Sequence, residues 1–131
     1  MIEGSCHCGA VRWTLDALPV SATACNCTVC RRYGTLWAYG HHGEDVHVSG
    51  ETRVYVRADS GDLGFHACAV CGCVAYWRAT PALRSQPERM GVNLRLAEPD
   101  AVADIPIHHL DGLETWRVLP DDGQRVKDLW F

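Results

Sequence analysis

The feature that most constrains this 131-residue chain is the grouping of its eight cysteines into three short clusters. The clusters are Cys6-His7-Cys8, Cys25-Asn26-Cys27-Thr28-Val29-Cys30 and Cys68-Ala69-Val70-Cys71-Gly72-Cys73. A tetrahedral zinc site needs thiolate sulfurs about 2.3 Å from the metal, and a Cys-x-Cys or Cys-x-x-Cys turn supplies two of them at once. Cysteines this close in sequence meet disulfide geometry poorly, because disulfide-linked Cα atoms lie about 5.5 Å apart with a particular torsion. The grouping therefore indicates metal binding.

Length and composition predict one globular domain over residues 1–131. The chain has 47% hydrophobic and 21% charged residues, and no run of about 20 apolar residues indicates a membrane span. No apolar stretch precedes the first cysteine cluster, so we expect no secretory leader and a cytoplasmic location. A reducing compartment keeps cysteines as thiols, and a disulfide framework remains the alternative if a leader has been removed.

The charge argues against a nucleic-acid partner. The formal net charge is −4, and seven coordinating thiolates with two zinc ions would take it to about −7. A surface of this sign repels phosphate groups, and no basic run interleaved with aromatic residues is present. We expect neither nucleic acid nor a membrane as a partner.

Short β-prone stretches recur at intervals of about 8 to 12 residues, which predicts a mainly β domain of short antiparallel sheets with little helix. We expect strands over residues 11–15, 21–24, 36–39, 63–66, 74–77 and 90–94. We also expect a hairpin of residues 46–48 and 53–56 around Ser49-Gly50-Glu51.

The remaining segments carry weaker signals. Residues 28–33 fit one helical turn, with Thr28 as its cap and Gly34 as its stop. Residues 81–89 indicate a surface excursion, and residues 113–119 either a short helix or a strand. The C-terminal Leu129-Trp130-Phe131 is expected to pack against the domain.

The cysteine clusters and their surroundings resemble the glutathione-dependent formaldehyde-activating enzyme family, which shares its domain with the centromere protein V group. Three linked cysteine motifs are far more specific than a lone Cys-x-x-Cys. In order and spacing, the resemblance covers residues 1–76, and the last third of the chain adds almost nothing to it. It is carried by Gly4-Ser5-Cys6-His7-Cys8-Gly9-Ala10-Val11, Cys25-Asn26-Cys27-Thr28-Val29-Cys30-Arg31-Arg32, Ser49-Gly50-Glu51 and His66-Ala67-Cys68-Ala69-Val70-Cys71-Gly72.

The resemblance implies a β-tent fold with zinc knuckles and two zinc ions per chain. By position, a structural zinc would be held by Cys6, Cys8, Cys68 and Cys71. The second, catalytic zinc would be held by Cys25, Cys27 and Cys30. The count of ligands agrees with this division, because two pairs complete a tetrahedral shell whereas three cysteines leave one position open, as a catalytic zinc requires.

The implied activity is that of a carbon-sulfur lyase resembling an S-(hydroxymethyl)glutathione synthase. Glutathione or a related thiol would bind at the open zinc position, lose its proton and add reversibly to formaldehyde or a similar small aldehyde. Arg31 is the candidate ligand for a glutathione carboxylate, because a guanidinium pairs with a carboxylate at two points. The alternative for Arg31 is a solvated or salt-bridged side chain. Trp37, Tyr39 and Trp77 are either pocket walls or core residues.

Cys73 departs from the family pattern, in which the residue after Cys-x-x-Cys-Gly is usually small and does not bind metal. Three interpretations stay open: a buried small hydrophobic residue, a fourth ligand that closes the second zinc site, or a thiol-exchange group. Two other classes of function also stay open. One is a non-enzymatic, zinc-stabilised binding or interaction module, and the other is an enzyme similar to methionine sulfoxide reductase with a free cysteine as nucleophile.

Overall fold

The computed structural model describes residues 1–129, and within them eleven strands and two four-residue α-helices are formed. The strands are β1 (Ile2–Ser5), β2 (Arg12–Leu15), β3 (Ala22–Cys25), β4 (Leu36–His41), β5 (Val46–Ser49), β6 (Thr52–Val56), β7 (Leu63–Cys68), β8 (Val74–Ala79), β9 (Arg89–Asn93), β10 (Ile107–Asp111) and β11 (Arg117–Val118). The α-helices are α1 (Cys30–Tyr33) and α2 (Pro99–Val102), and the 3-10 helices are Pro81–Leu83, Leu94–Leu96 and Val126–Leu129. The prediction of a mainly β fold with little helix is confirmed.

The strands form two sheets. The smaller sheet has the order β1-β2-β5, and the larger has the order β11-β10-β3-β4-β9-β8-β7-β6. All neighbours are antiparallel except β3 and β10, which run parallel with Leu110 opposite Cys25. This parallel pair places the end of β10, near the C-terminus, beside the start of the central cysteine cluster.

The larger sheet is buried on both faces at β4, and this divides the hydrophobic core. Side chains of a strand point alternately to opposite faces. Leu36 and Ala38 belong to the main core shared with the smaller sheet, whereas Trp37 faces a second cluster that contains Cys27 and Cys30. The central cysteines are therefore embedded in their own apolar cluster on the outer face of the larger sheet.

Two local predictions are wrong. Residues 46–48 and 53–56 do not form a hairpin, because β5 pairs with β2 in the smaller sheet while β6 pairs with β7 in the larger one. Gly50 allows the chain to pass from β5 in the smaller sheet to β6 in the larger one. Its φ is +97°, and a Cβ at this position would lie 2.0 Å from the Ala10 carbonyl oxygen. Thr28 does not cap α1, because the helix begins one residue later and its N-cap is Val29.

Other predicted segments are found with small changes. Gly34 adopts the left-handed conformation and ends α1. Residues 81–87 are exposed as expected, but Glu88 is buried. Residues 113–119 form a turn followed by β11, so the strand alternative holds there. Leu129 packs against the main core, and the expectation for Trp130 and Phe131 lies outside the described residues.

The helices of residues 1–129 are all short, and none has the length and apolar character needed to cross a membrane.

Candidate metal centres and cavity

The first and third cysteine clusters meet in space. Cys6 and Cys8 lie in the turn after β1, while Cys68 ends β7 and Cys71 lies in the turn before β8. The four sulfur atoms all lie within 4.8 Å of one another. Cys8 Sγ is 3.6 Å from Cys6 Sγ and 3.6 Å from Cys68 Sγ. Sulfurs bound to one tetrahedral zinc at 2.3 Å are about 3.8 Å apart, so this four-cysteine cluster fits one zinc ion.

Each half of the four-cysteine cluster is shaped by a glycine and by backbone amides. Gly9 and Gly72 follow Cys8 and Cys71 directly, and their φ values of +82° and +81° let the chain turn back tightly. The Val11 amide donates to Cys6 Sγ at 3.2 Å. Backbone hydrogen bonds from Cys73 and Cys8 lower the pKa of Cys71 to about 5. These donors favour the thiolate form that a metal requires.

The central cluster forms a second, smaller group. Cys25 is the last residue of β3, Cys27 lies in the following loop, and Cys30 begins α1. Their sulfurs lie within 4.8 Å of one another, and Cys27 and Cys30 are buried. This three-cysteine cluster can supply three of the four ligands of a tetrahedral metal ion, which is the donor set of an open site.

Hydrogen bonds hold the three sulfurs in place. The Trp37 indole N–H donates to Cys30 Sγ at 3.3 Å, and the Cys30 amide donates to Cys27 Sγ at 3.4 Å. The contact with Cys30 lowers the pKa of Cys25 to about 6, and the same contact with Cys25 raises the pKa of Cys30. The contact between these two sulfurs thus favours the thiolate form of Cys25 over that of Cys30.

A cavity of about 600 Å³ opens onto the three-cysteine cluster. Its wall contains all three sulfur-bearing residues, a group of aromatic side chains and a group of charged side chains. The aromatic residues are Trp37, Tyr39, Phe65, Trp77 and Trp116, and the charged residues are Arg57, Asp59, Asp62 and Arg89. Trp37, Tyr39 and Trp77 are therefore pocket walls, and Trp37 and Trp77 also belong to the buried cluster around the cysteines.

The cavity has two cationic side chains. Arg57 makes a two-point ion pair with Asp59, with Nε 2.8 Å from Oδ1 and Nη2 2.6 Å from Oδ2. The Arg57 side chain is only 18% exposed, whereas that of Asp59 is 67% exposed. The Arg89 guanidinium lies 4.2 Å from the ring centroid of Tyr39 and 5.8 Å from that of Trp77. Both guanidinium groups thus contact other residues of the cavity wall, Arg57 through Asp59 and Arg89 through the rings of Tyr39 and Trp77.

The structure places two of the sequence-predicted residues away from the cavity. Arg31 is exposed and is not part of the cavity wall, because Cys30 occupies the inward side of α1. Cys73 lies beside the four-cysteine cluster, where it hydrogen-bonds Cys71 and the His7 backbone. It is not within ligand distance of the three-cysteine cluster, so the structure does not support Cys73 as its fourth ligand.

Sequence reasoning missed the turn after β10. A Cβ at Gly112 would lie 2.6 Å from Cys25 Sγ, and the Gly112 amide donates a hydrogen bond to that sulfur. Asn26 binds the same turn, since its side chain accepts from the Leu113 amide at 3.0 Å and donates to Asp111 Oδ1 at 3.3 Å. No local signal marks these contacts, because they arise from the parallel pairing of β3 with β10.

This mainly β domain thus has one four-cysteine cluster and one three-cysteine cluster that could each hold a metal ion, and the three-cysteine cluster faces a cavity. The profile of the family described as Glutathione-dependent formaldehyde-activating enzyme matches residues 1–105, and the chain belongs to this family. The resemblance drawn from the cysteine motifs is confirmed. Residues 106–129, which supply β10 and the Gly112 turn, lie beyond the match.

The fold is also similar to a solved structure. The crystal structure of a Rhodobacter sphaeroides protein aligns with a TM-score of 0.61 and 26% sequence identity. The alignment covers 81% of this chain and 99% of that chain. A comparison with curated proteins gives no match.

Proposed function

We propose that this protein is a zinc-dependent carbon-sulfur lyase that adds glutathione or a related thiol to formaldehyde or a similar small aldehyde. The observation that carries the proposal is the cavity of about 600 Å³ that opens onto the sulfurs of the three-cysteine cluster. Structural zinc sites are closed by protein ligands, whereas catalytic sites keep a position open toward a substrate. The volume lies in the range of small-molecule binding pockets. Family membership supports the same activity.

The donor sets support two zinc ions per chain, a structural one at the four-cysteine cluster and a second one at Cys25, Cys27 and Cys30. A zinc ion at the three-cysteine cluster would supply a Lewis acid with one free coordination position, which lowers the pKa of an incoming thiol. All eight cysteines are free thiols, and this suits the reducing cytoplasm that we propose as the location.

The chain's own residues bind and orient the reactants. The Trp37 N–H donates to the Cys30 sulfur and the Gly112 amide donates to the Cys25 sulfur. These hydrogen bonds keep the cluster in shape while the substrate thiol binds. The thiol loses its proton, its sulfur forms a bond to the aldehyde carbon, and the carbonyl oxygen takes up a proton. The product is a hydroxymethyl thioether, and the reverse reaction releases the aldehyde. The protein contributes positioning and a shielded site.

Arg57 and Arg89 are the proposed binding groups for the carboxylates of the thiol. Glutathione carries two carboxylates at neutral pH, and both arginines line the cavity. Arg57 already makes a two-point pair with the Asp59 carboxylate, which a guest carboxylate can replace with the same geometry. The exposed Arg31 has no such position, so we do not retain it as a substrate ligand.

The proposal is tested with the zinc-loaded full-length chain, glutathione and ¹³C-formaldehyde. Exchange between free formaldehyde and S-hydroxymethylglutathione is measured by NMR, and we expect the protein to accelerate it above the uncatalysed rate. In parallel, glutathione should protect one of two zinc ions from a chelator. An unchanged exchange rate with two equally inert zinc ions would leave the non-enzymatic binding module as the function of this fold.

A further inference from the structure

The turn between β10 and β11 is held by several hydrogen bonds. Asp111 accepts hydrogen bonds from the amides of Glu114 and Thr115, each at 3.2 Å, and from Thr115 Oγ1 at 2.9 Å. The Trp116 amide donates to the Asp111 carbonyl oxygen at 2.7 Å. Five residues after β10 are thus held in one conformation, although most of them are exposed to solvent.

Trp116 ends this turn and has an unfavourable backbone conformation. Its φ is +57°, and it is the one non-glycine residue with a positive φ within residues 1–129. The left-handed region is disfavoured for bulky side chains. The indole is also 60% exposed, so burial does not compensate for the strain. Residues held in such a conformation cluster at binding sites, where the surrounding contacts impose them.

The exposed indole lies at the edge of the cavity and is linked to the cysteines. Trp116 and Leu110 both line the cavity wall. The turn that carries Trp116 is bound to Asn26, which lies between Cys25 and Cys27, and it presses Gly112 against Cys25. The position of the indole is therefore fixed relative to the three sulfurs.

We propose that Trp116 is a specificity-determining residue of the thiol site, an inference that rests on the function proposed above. Its indole covers the outer, apolar part of a long peptidic thiol whose sulfur lies at the three-cysteine cluster. A peptide plane or methylene chain packs well on an aromatic face. A small thiol such as 2-mercaptoethanol has no peptide plane or long methylene chain to pack on the indole, so Trp116 contributes little to its binding. The residue thus selects thiols of tripeptide size over smaller ones.

The test compares binding of glutathione and of 2-mercaptoethanol to the zinc-loaded full-length protein by calorimetry. Replacing Trp116 by Ala should weaken glutathione binding about tenfold, while 2-mercaptoethanol binding changes less than about twofold. Trp116→Phe should recover most of the glutathione affinity. Leu113→Ala is the matched control, because Leu113 is an exposed residue of the same turn outside the cavity wall.

Trp116→Gly separates this role from a structural one. Glycine tolerates the left-handed conformation, so this variant should melt at or above the wild-type temperature and still bind glutathione weakly. Three results would each overturn the proposal. Trp116→Ala could bind glutathione as tightly as the wild type does, or it could lose the same factor of affinity for glutathione and for 2-mercaptoethanol. The third is a melting temperature of Trp116→Gly below that of the wild type. Absence of glutathione binding to the wild-type protein would instead overturn the proposed function itself, together with the inference that rests on it.

Discussion

Gly112 lies so close to Cys25 that a β-carbon at position 112 would be 2.6 Å from the Cys25 sulfur. The same β-carbon would be 2.8 Å from the Cβ of Cys27. This approach results from the register of the parallel pair, in which Leu110 lies opposite Cys25. The geometry of the three-cysteine cluster therefore depends on a residue near the C-terminus, beyond the part of the chain that matches the family profile.

Replacement of Gly112 by Ala should weaken the second metal site without unfolding the protein. The added methyl group must displace Cys25 or Cys27, and disturbing the groups that support metal ligands typically costs about 10- to 100-fold in metal affinity. Zinc affinity is measured by competition with a chromophoric chelator, and folding by circular dichroism. Leu113→Ala serves as the control in the same turn. Unchanged affinity at both metal sites in Gly112→Ala would contradict this role.

The two cysteine clusters should respond differently to loss of one thiol. A structural zinc contributes about 10–16 kcal/mol in small domains, as much as the whole stability of an ordinary domain, about 5–15 kcal/mol. Cys6 is buried in the main core, so Cys6→Ser should fail to fold at ambient temperature. Cys27→Ser should stay folded and carry one zinc per chain instead of two. Circular dichroism measures the folding of the two variants, and metal analysis measures their zinc content. Equal loss of structure in both variants would argue against the division into a structural and a catalytic site.

The difference between what the sequence predicts and what it misses follows from the range of the contacts. Gly9 follows Cys8 directly, and Gly72 follows Cys71. The turn that positions each of these sulfurs is therefore determined by a few residues that are adjacent in sequence. Arg57 lies about 30 residues from Cys27 along the chain, and β3 and β6, which precede them, are separated by four strands in the larger sheet. Only the tertiary fold brings both residues to the wall of one cavity.

The same reasoning explains why Arg31 lies outside the cavity wall and why the predicted hairpin does not form. Arg31 is adjacent to the cysteines in sequence, but the helical turn that directs Cys30 inward leaves its neighbour exposed. The spacing around Gly50 fits a hairpin locally, yet the two flanking strands find partners in different sheets. Local patterns identify the cysteine groups that could hold metal ions, whereas the cavity is built by long-range contacts.

Arg57 and Arg89 should contribute to glutathione binding by pairing with its carboxylates. A hydrogen bond to a charged group contributes about 1.5–3 kcal/mol, so Arg89→Ala should weaken glutathione binding by roughly tenfold to a hundredfold. Arg57→Ala should behave similarly and would also release Asp59 from its ion pair. Arg31→Ala is the matched control, because Arg31 is exposed and does not line the cavity. Calorimetry with the zinc-loaded protein checks all three, and a larger effect at Arg31 than at Arg89 would restore the original sequence-based assignment.

The largely buried ion pair between Arg78 and Glu88 should make the stability of the domain sensitive to acid. Arg78 Nε lies 2.8 Å from Glu88 Oε1 and Nη2 lies 2.7 Å from Oε2, while the Glu88 side chain is only 9% exposed. The hydrogen bond from Arg78 lowers the pKa of Glu88 below its usual value of 4.5. In the unfolded chain Glu88 binds a proton at higher pH, so its contribution is complete above pH 4.5 and is lost as the pH falls through the lower folded value.

Glu88→Gln should therefore lower the free energy of unfolding by about 1–3 kcal/mol at pH 7, and the gap between variant and wild type should narrow in acid. Urea denaturation at a series of pH values measures this gap, and the comparison cancels the release of zinc in acid, which both proteins share. Asp104→Asn is the control, because Asp104 pairs with Lys127 at 2.7 Å on an exposed surface and such pairs contribute little. A gap that stays constant from pH 7 down to the acid range would show that the charge of Glu88 does not stabilise the fold, since only an ionised carboxylate loses its advantage over glutamine on protonation.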